Sequence, residues 1–125
     1  MNKLELIETI EELGLDTNDF YVLSSGALVL RNLYEEANDL DIVVNSKGLG
    51  HLNKKYNLVS KENNWYYVND KVECVLDTKV WEIEKVGKYN VESITKYYEY
   101  LKSSTREKDK IKRKIVEDYL KKITL

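Results

Sequence analysis

Asn38-Asp39-Leu40-Asp41-Ile42-Val43-Val44 is the stretch on which the fold turns. Its branched apolar run reads as a strand over Asp39 to Val44. Side chains alternate along a strand, so Asp39 and Asp41 share one face while Leu40, Ile42 and Val44 enter the core. Two neighbouring carboxylates repel unless a positive charge lies between them. Hard oxygen ligands beside a phosphate-bearing substrate point to a divalent cation, magnesium above all.

Upstream, Phe20-Tyr21-Val22-Leu23 reads as a short buried strand that runs into Ser24-Ser25-Gly26. This is a natural strand-to-helix turn, because serine caps a helix and glycine bends the backbone without a Cβ clash. The helix it opens spans Ala27 to Leu33, and Tyr34 to Asn38 is a polar connector. Backbone N–H groups and serine hydroxyls in such a turn suit an anion, although an ordinary helix cap has the same composition. Further back, Leu4, Ile7, Ile10 and Leu13 recur at helical spacing before Gly14, so Asn2 to Leu13 is an amphipathic helix.

Downstream, Asn45-Ser46-Lys47-Gly48 breaks the acidic strand, and a short helix is expected around Leu49 to Tyr56. Leu58-Val59-Ser60, Trp65 to Val68 and Lys71 to Leu76 read as strands, the last two joined at Asn69-Asp70 as an antiparallel hairpin. An edge strand around Val80 to Ile83 and a loop through Gly87 follow. Ile94, Tyr97, Tyr98 and Leu101 then fall on one helical face, with Ser93 as cap. After Ser103-Ser104-Thr105, Ile111, Ile115, Val116, Tyr119, Leu120 and Ile123 mark a final helix, which gives a helical segment over 92–123. The expectation is one α+β domain over 1–125, a mixed sheet of about four to five strands with helices packed against it.

Phosphoryl or nucleotidyl transfer at a carboxylate pair calls for a third acid to complete a two-metal site. On the strand Val72 to Asp77, Val72, Cys74 and Leu76 share the core face and Glu73, Val75 and Asp77 the other. Glu73 is the candidate and Asp77 the reserve; a solvated sheet face is the competing reading for both. Trp65, Tyr66, Tyr67 and Trp81 offer rings for a nucleobase or for cross-strand packing. His51, without a histidine partner, reads as a surface residue.

Charge adds a regional signal. The chain carries a formal net charge of -2, which does not suit wrapping a nucleic-acid backbone. Between Lys102 and Lys122, however, nine basic residues face four acidic ones, leaving that segment at +5 and the rest at -7. A basic terminal helix therefore sits on an acidic body, either as a solvated face or as a phosphate-facing surface. The lone Cys74 precludes an internal disulfide and fits a reducing compartment. With neither a leader-like nor a membrane-length apolar run, a cytoplasmic location away from membranes is expected.

The span Tyr21 to Leu33 followed by Asn38 to Val44 resembles the signature of the DNA-polymerase-β-type nucleotidyltransferase superfamily. The narrower likeness is to the small bacterial and phage branch related to abortive-infection nucleotidyltransferase toxins and to minimal antibiotic and antitoxin nucleotidyltransferases. Arg106-Glu107-Lys108-Asp109 is similar to the Arg-x-Lys-Asp element that begins the last helix there. The resemblance implies that Ser24, Ser25 and Gly26 hold nucleotide phosphates, with Lys108 or Arg106 available to them. It further implies that Asp39 and Asp41 bind the metals and that Glu73 completes the catalytic site, with Mg2+ as cofactor and a nucleoside triphosphate as substrate. The acceptor would be a hydroxyl on a protein, an RNA end or a small molecule, in phage defence or a toxin–antitoxin pair, with a protein partner or a second copy of the chain supplying further surface. Ser24 stands where that family usually has its first glycine, Asn32 its second, Tyr34 a common arginine and Lys112 a second aspartate. The alternative reading is a catalytically inactive nucleotide- or protein-binding module of the same fold.

Overall fold

The computed structural model describes residues 1–124 as an α+β arrangement in which a seven-stranded mixed sheet carries helices. In chain order the elements are α1 (Lys3–Leu13), β1 (Phe20–Val22), α2 (Ser24–Leu30), β2 (Leu40–Val44), α3 (Ser46–Lys55), β3 (Val59–Ser60) and β4 (Trp65–Tyr67). They continue with β5 (Val72–Leu76), β6 (Ile83–Val86), β7 (Tyr89–Glu92), α4 (Ile94–Ser103) and α5 (Glu107–Ile123). The strand order is β3-β4-β5-β2-β1-β7-β6. The acidic strand β2 is thus central, antiparallel to β1 and parallel to β5.

Period-two patterning sets that register. Leu40, Ile42 and Val44 of β2 and Val72 and Cys74 of β5 are fully buried in the main core with Leu6, Ile10, Leu13, Phe20 and Val22. Burying such side chains is worth roughly 1.5–3 kcal/mol each, and a one-residue slip would send the whole set to the opposite face. A second, smaller core of Leu28, Ile94, Tyr97, Leu101 and Val116 fastens α4 and α5 to the back of α2. No described helix is long and apolar enough to cross a membrane.

Seven strands form where four or five were expected, and the difference lies in one hairpin. Residues around Val80 are not a strand at all, and Val80 itself is 98% exposed. The hairpin is instead β6 and β7, antiparallel with Val86 opposite Tyr89. Its two-residue turn is Gly87-Lys88, with Gly87 at φ +60°, which a first turn position of type II′ requires. Strand β7 is disguised because Asn90 and Glu92 are polar yet occupied: Asn90 Nδ2 donates to the Thr17 carbonyl at 3.0 Å. Helix boundaries also move. α2 begins at Ser24 and ends at Leu30, where Asn32 turns the chain at φ +63°, and α3 begins at Ser46 because the Asn45 side chain accepts from Gly48 N–H.

Candidate functional site

The chain leaves β1 at Leu23, whose N–H donates to the Asp41 carbonyl at 2.9 Å, and enters α2 through Ser24. Ser24 sits at φ +54°, a left-handed conformation that costs a residue with a Cβ about 1 kcal/mol and favours glycine. The strain is held in place partly by Glu92, whose Oε1 accepts from Ser24 N–H at 3.1 Å. Burial pushes the Glu92 carboxyl above its ordinary range, with the Ser24 N–H opposing. Two residues on, Gly26 is buried against β1, and a Cβ there would lie 2.9 Å from Val22 Cγ1. Its lack of a side chain therefore serves close helix–strand packing.

Around this turn lies a cleft of about 380 Å³. Its lining draws acids from β2 and the connector before it (Glu36, Asp39, Asp41), cations from Arg106 and from α5 (Lys108, Lys112), the Ser24-Ser25-Gly26 turn, and the rings of Tyr34, Tyr97 and Tyr100. Asp39 lies in the bend that precedes β2 rather than in the strand, and is exposed. Asp41 lies within β2, partly buried, and its Oδ1 is shielded from solvent without a hydrogen-bond partner. Burial first, then the neighbouring Glu73 and Asp39 carboxylates, push its pKa up to about 6, against a smaller opposing pull from Lys61. A shielded carboxylate oxygen with no donor is a cation-seeking group.

Glu73 is directly opposite Asp41 on the adjacent parallel strand β5, so its backbone is where the strand reading puts it. Its carboxylate is near enough to Asp41 to raise that residue's pKa, but it is already engaged. Glu73 Oε1 is ion-paired with Lys61, and both line a second cavity of about 540 Å³ with Asp41, Glu62 and Trp65. The reserve acid, Asp77, lies just past the end of β5 and four residues beyond Glu73, ~13 Å from the level of Asp41 at strand rise, and its Oδ1 accepts from Lys79 N–H. Among the described residues no three His, Cys, Asp or Glu side chains are gathered closely enough to grip a metal ion as they stand. Asp39 and Asp41 nonetheless fit the first half of such a site, because the orphaned Oδ1 gains from a cation and both are hard oxygen donors.

The cationic wall comes from α5. Asp109, fully buried, accepts from Arg106 Nε at 2.8 Å, from an Arg106 terminal N–H at 3.1 Å and from Ser104 Oγ at 2.6 Å. The Arg106 guanidinium, reinforced by Ser104, draws the Asp109 pKa down to about 2. Asp109 is thus the anchor that fixes Arg106 at the rim, while Lys108 is an exposed cation beside it.

Lys112 reads as a surface lysine in sequence, yet it is only 6% exposed. Its ammonium donates to Ser25 Oγ at 2.7 Å and lies 5.5 Å from the centre of the Tyr34 ring. Burial holds its pKa below the ordinary lysine range, with Asp109 opposing. The helical spacing of Lys108 and Lys112, at i and i+4, was the available signal for a shared face.

The ring faces at the cleft are Tyr34, Tyr97 and Tyr100. Tyr97 and Tyr100 stack at 6.1 Å with a 7° interplanar angle. Trp81 packs edge-on against Tyr21 at 5.0 Å, and Tyr66 packs against the core. His51, exposed, contacts the Leu13 carbonyl through Nε2 at 3.1 Å and takes no part in the cleft. Comparison with family models, with curated proteins and with solved structures finds no match to this chain.

Proposed function

We propose that the cleft is a nucleotidyl-transfer site of the DNA-polymerase-β type, taking a nucleoside triphosphate with magnesium and passing a nucleoside monophosphate to a hydroxyl acceptor. The observation that carries this reading is charge segregation within one small cleft. Asp39 and Asp41, with its partnerless Oδ1, come to the cleft from the β2 side, and Arg106, Lys108 and Lys112 come to it from the last helix and its approach, with the Ser24-Ser25-Gly26 turn lining the same cleft. A metal–triphosphate complex has that same division, cationic at one end and anionic along the chain.

Each residue's part follows from its chemistry. Asp39 and Asp41 would hold magnesium, which when bound polarises a phosphate oxygen and neutralises charge on the leaving pyrophosphate. Lys112 and Arg106, one buried and one anchored, present fixed positive charge to the phosphates, and Ser25 shares the Lys112 ammonium with them. The acceptor oxygen forms a bond to the α-phosphorus as the bond to pyrophosphate breaks, and its proton passes to a carboxylate on the Asp41–Glu73 side. Tyr100, half exposed and backed by the buried Tyr97 ring, offers an aromatic face for the base. A cytoplasmic setting, in defence against phage or within a toxin–antitoxin pair, fits the resemblance, with the acceptor borne by a protein, an RNA end or a small molecule.

The experiment is incubation of the purified chain with each α-labelled triphosphate, magnesium and candidate acceptors. Label transfer that disappears in Asp41→Asn, with the circular dichroism spectrum intact, is the expected outcome; equal labelling by Asp41→Asn overturns the reading. A second reading, a nucleotide-binding module without catalysis, is favoured by one observation: the Glu92 carboxylate already occupies Ser24 N–H. Calorimetry separates the two, since that module binds triphosphate without transferring label.

A further inference from the structure

The mechanism above leaves Lys61 without a role, although it is ion-paired with Glu73, the neighbour of Asp41 across the sheet. Three strands bring the pair together. Glu73 of β5 is in register with Asp41 of β2 on one side and with Tyr67 of β4 on the other. Lys61 lies in the β3–β4 turn, its backbone N–H pinned to the Trp65 carbonyl at 2.7 Å. Its ammonium is centred 4.4 Å from the Tyr67 ring and ion-paired with Glu73 Oε1. The side chains of Lys61 and Glu73 are 34% and 23% exposed, so the pair is sheltered but open to exchange. Asp41 lines both the first cleft and the Trp65 cavity, and the Glu73 carboxylate, near enough to Asp41 to act on its charge, is held in an ion pair by Lys61.

We infer that Lys61 is an internal counter-cation that competes with a second divalent ion for Glu73, so that metal loading occurs in two steps. The inference rests on the nucleotidyl-transfer reading of the Asp39–Asp41 pair. The first ion needs only Asp39 and Asp41, neither of which is ion-paired among the described residues. The second needs Glu73, and it binds only as the Lys61 ammonium yields that carboxylate. Two terms oppose the second ion: the ion pair that must break, and repulsion from the displaced ammonium while it remains nearby. Lys61 thereby sets the metal concentration at which all three carboxylates act together, and it keeps Glu73 neutralised at lower concentrations.

The test is Mn2+ titration of the full chain, with free Mn2+ read by electron paramagnetic resonance, for the wild type, Lys61→Met, Lys61→Arg, Glu73→Gln and Asp41→Asn. The wild type is expected to show a tighter and a weaker class of site. Lys61→Met should tighten the weaker class by about tenfold and leave the tighter class within about twofold. Lys61→Arg, which keeps the charge, should retain the wild-type isotherm, and Glu73→Gln should lose the weaker class only. Methionine keeps the apolar stem over Tyr67, and circular dichroism checks that each variant is folded. An unchanged weaker class in Lys61→Met, or its survival in Glu73→Gln, overturns the role of Lys61. If Asp41→Asn still abolishes the tighter class in that case, the metal-site reading stands without it. No Mn2+ binding by the wild type overturns both.

Discussion

Ser24 and Asp41 each hold a conformation or charge state that the fold imposes against local preference. Ser24 at φ +54° is strained, and among the described residues its hydroxyl has no hydrogen-bond partner, the Glu92 contact being to its backbone N–H. Ser24→Gly should therefore raise stability by about 0.5–1 kcal/mol, a rise of a few degrees in the unfolding midpoint. Asn32, also left-handed at φ +63°, is different: its Oδ1 accepts from Lys3 Nζ at 3.1 Å, and asparagine tolerates this region. Asp41 titrates near 6 in the fold against an ordinary 3.8. Such an acid binds more protons folded than unfolded, so its contribution to stability declines as pH rises through that window and is lowest above it. Asp41→Asn should raise stability at neutral pH by about 1–3 kcal/mol and flatten the pH profile of thermal unfolding over this window. Asp109 has the opposite sign. Its pKa near 2 means stability is present above the ordinary 3.8 and lost as pH falls toward 2. Asp109→Ala should destabilise the protein by about 2–3 kcal/mol in denaturant melts and free Arg106 from the cleft rim.

At the scale of elements, much of the site was legible because strands repeat every two residues. The placing of Asp41 beside Glu73 follows from that period and from one strand pairing, whereas Asp39, in the bend before β2, reaches the same cleft from outside the strand. Side-chain direction beyond the strand did not follow: Glu73 turns to Lys61 because a turn twelve residues upstream delivers an ammonium. β7 escaped detection because Asn90 and Glu92, polar residues of which Glu92 was expected to open the helical segment, are satisfied by Thr17 and Ser24 from distant elements. The α2–β1 contact shows how little slack these elements have. A Cβ at Gly26 would lie 2.9 Å from Val22 Cγ1, so Gly26→Ala should cost about 1–3 kcal/mol by overpacking, measurable in a denaturant melt. The glycine was visible in sequence as a turn former, whereas its use as a spacer between helix and strand required the pairing of the two.

Across the whole molecule, the cleft is assembled from two cores that contribute opposite charge. The sheet core fixes Asp41, while the smaller core of Leu28, Ile94, Tyr97, Leu101 and Val116 carries the α4–α5 wall with Lys112 and Arg106. Its spacing from Lys108 put Lys112 on the same helix face, but its burial could not be read from sequence, because it depends on α5 folding back across 87 residues to reach Ser25. The division predicts a separable defect. Leu6→Ala in the sheet core and Leu101→Ala in the smaller core remove comparable buried side chains, each at about 2–5 kcal/mol. Only Leu101→Ala loosens the wall that bears the cations. At a temperature where both variants remain folded, calorimetric titration with magnesium triphosphate should therefore show the greater loss of affinity for Leu101→Ala. Lys112→Met should weaken triphosphate binding by about 10- to 100-fold, as expected for removing a partly desolvated charge contact, while Mn2+ binding at Asp39 and Asp41 persists. Equal loss of triphosphate affinity in Leu6→Ala and Leu101→Ala would mean that the two walls do not act as separate units.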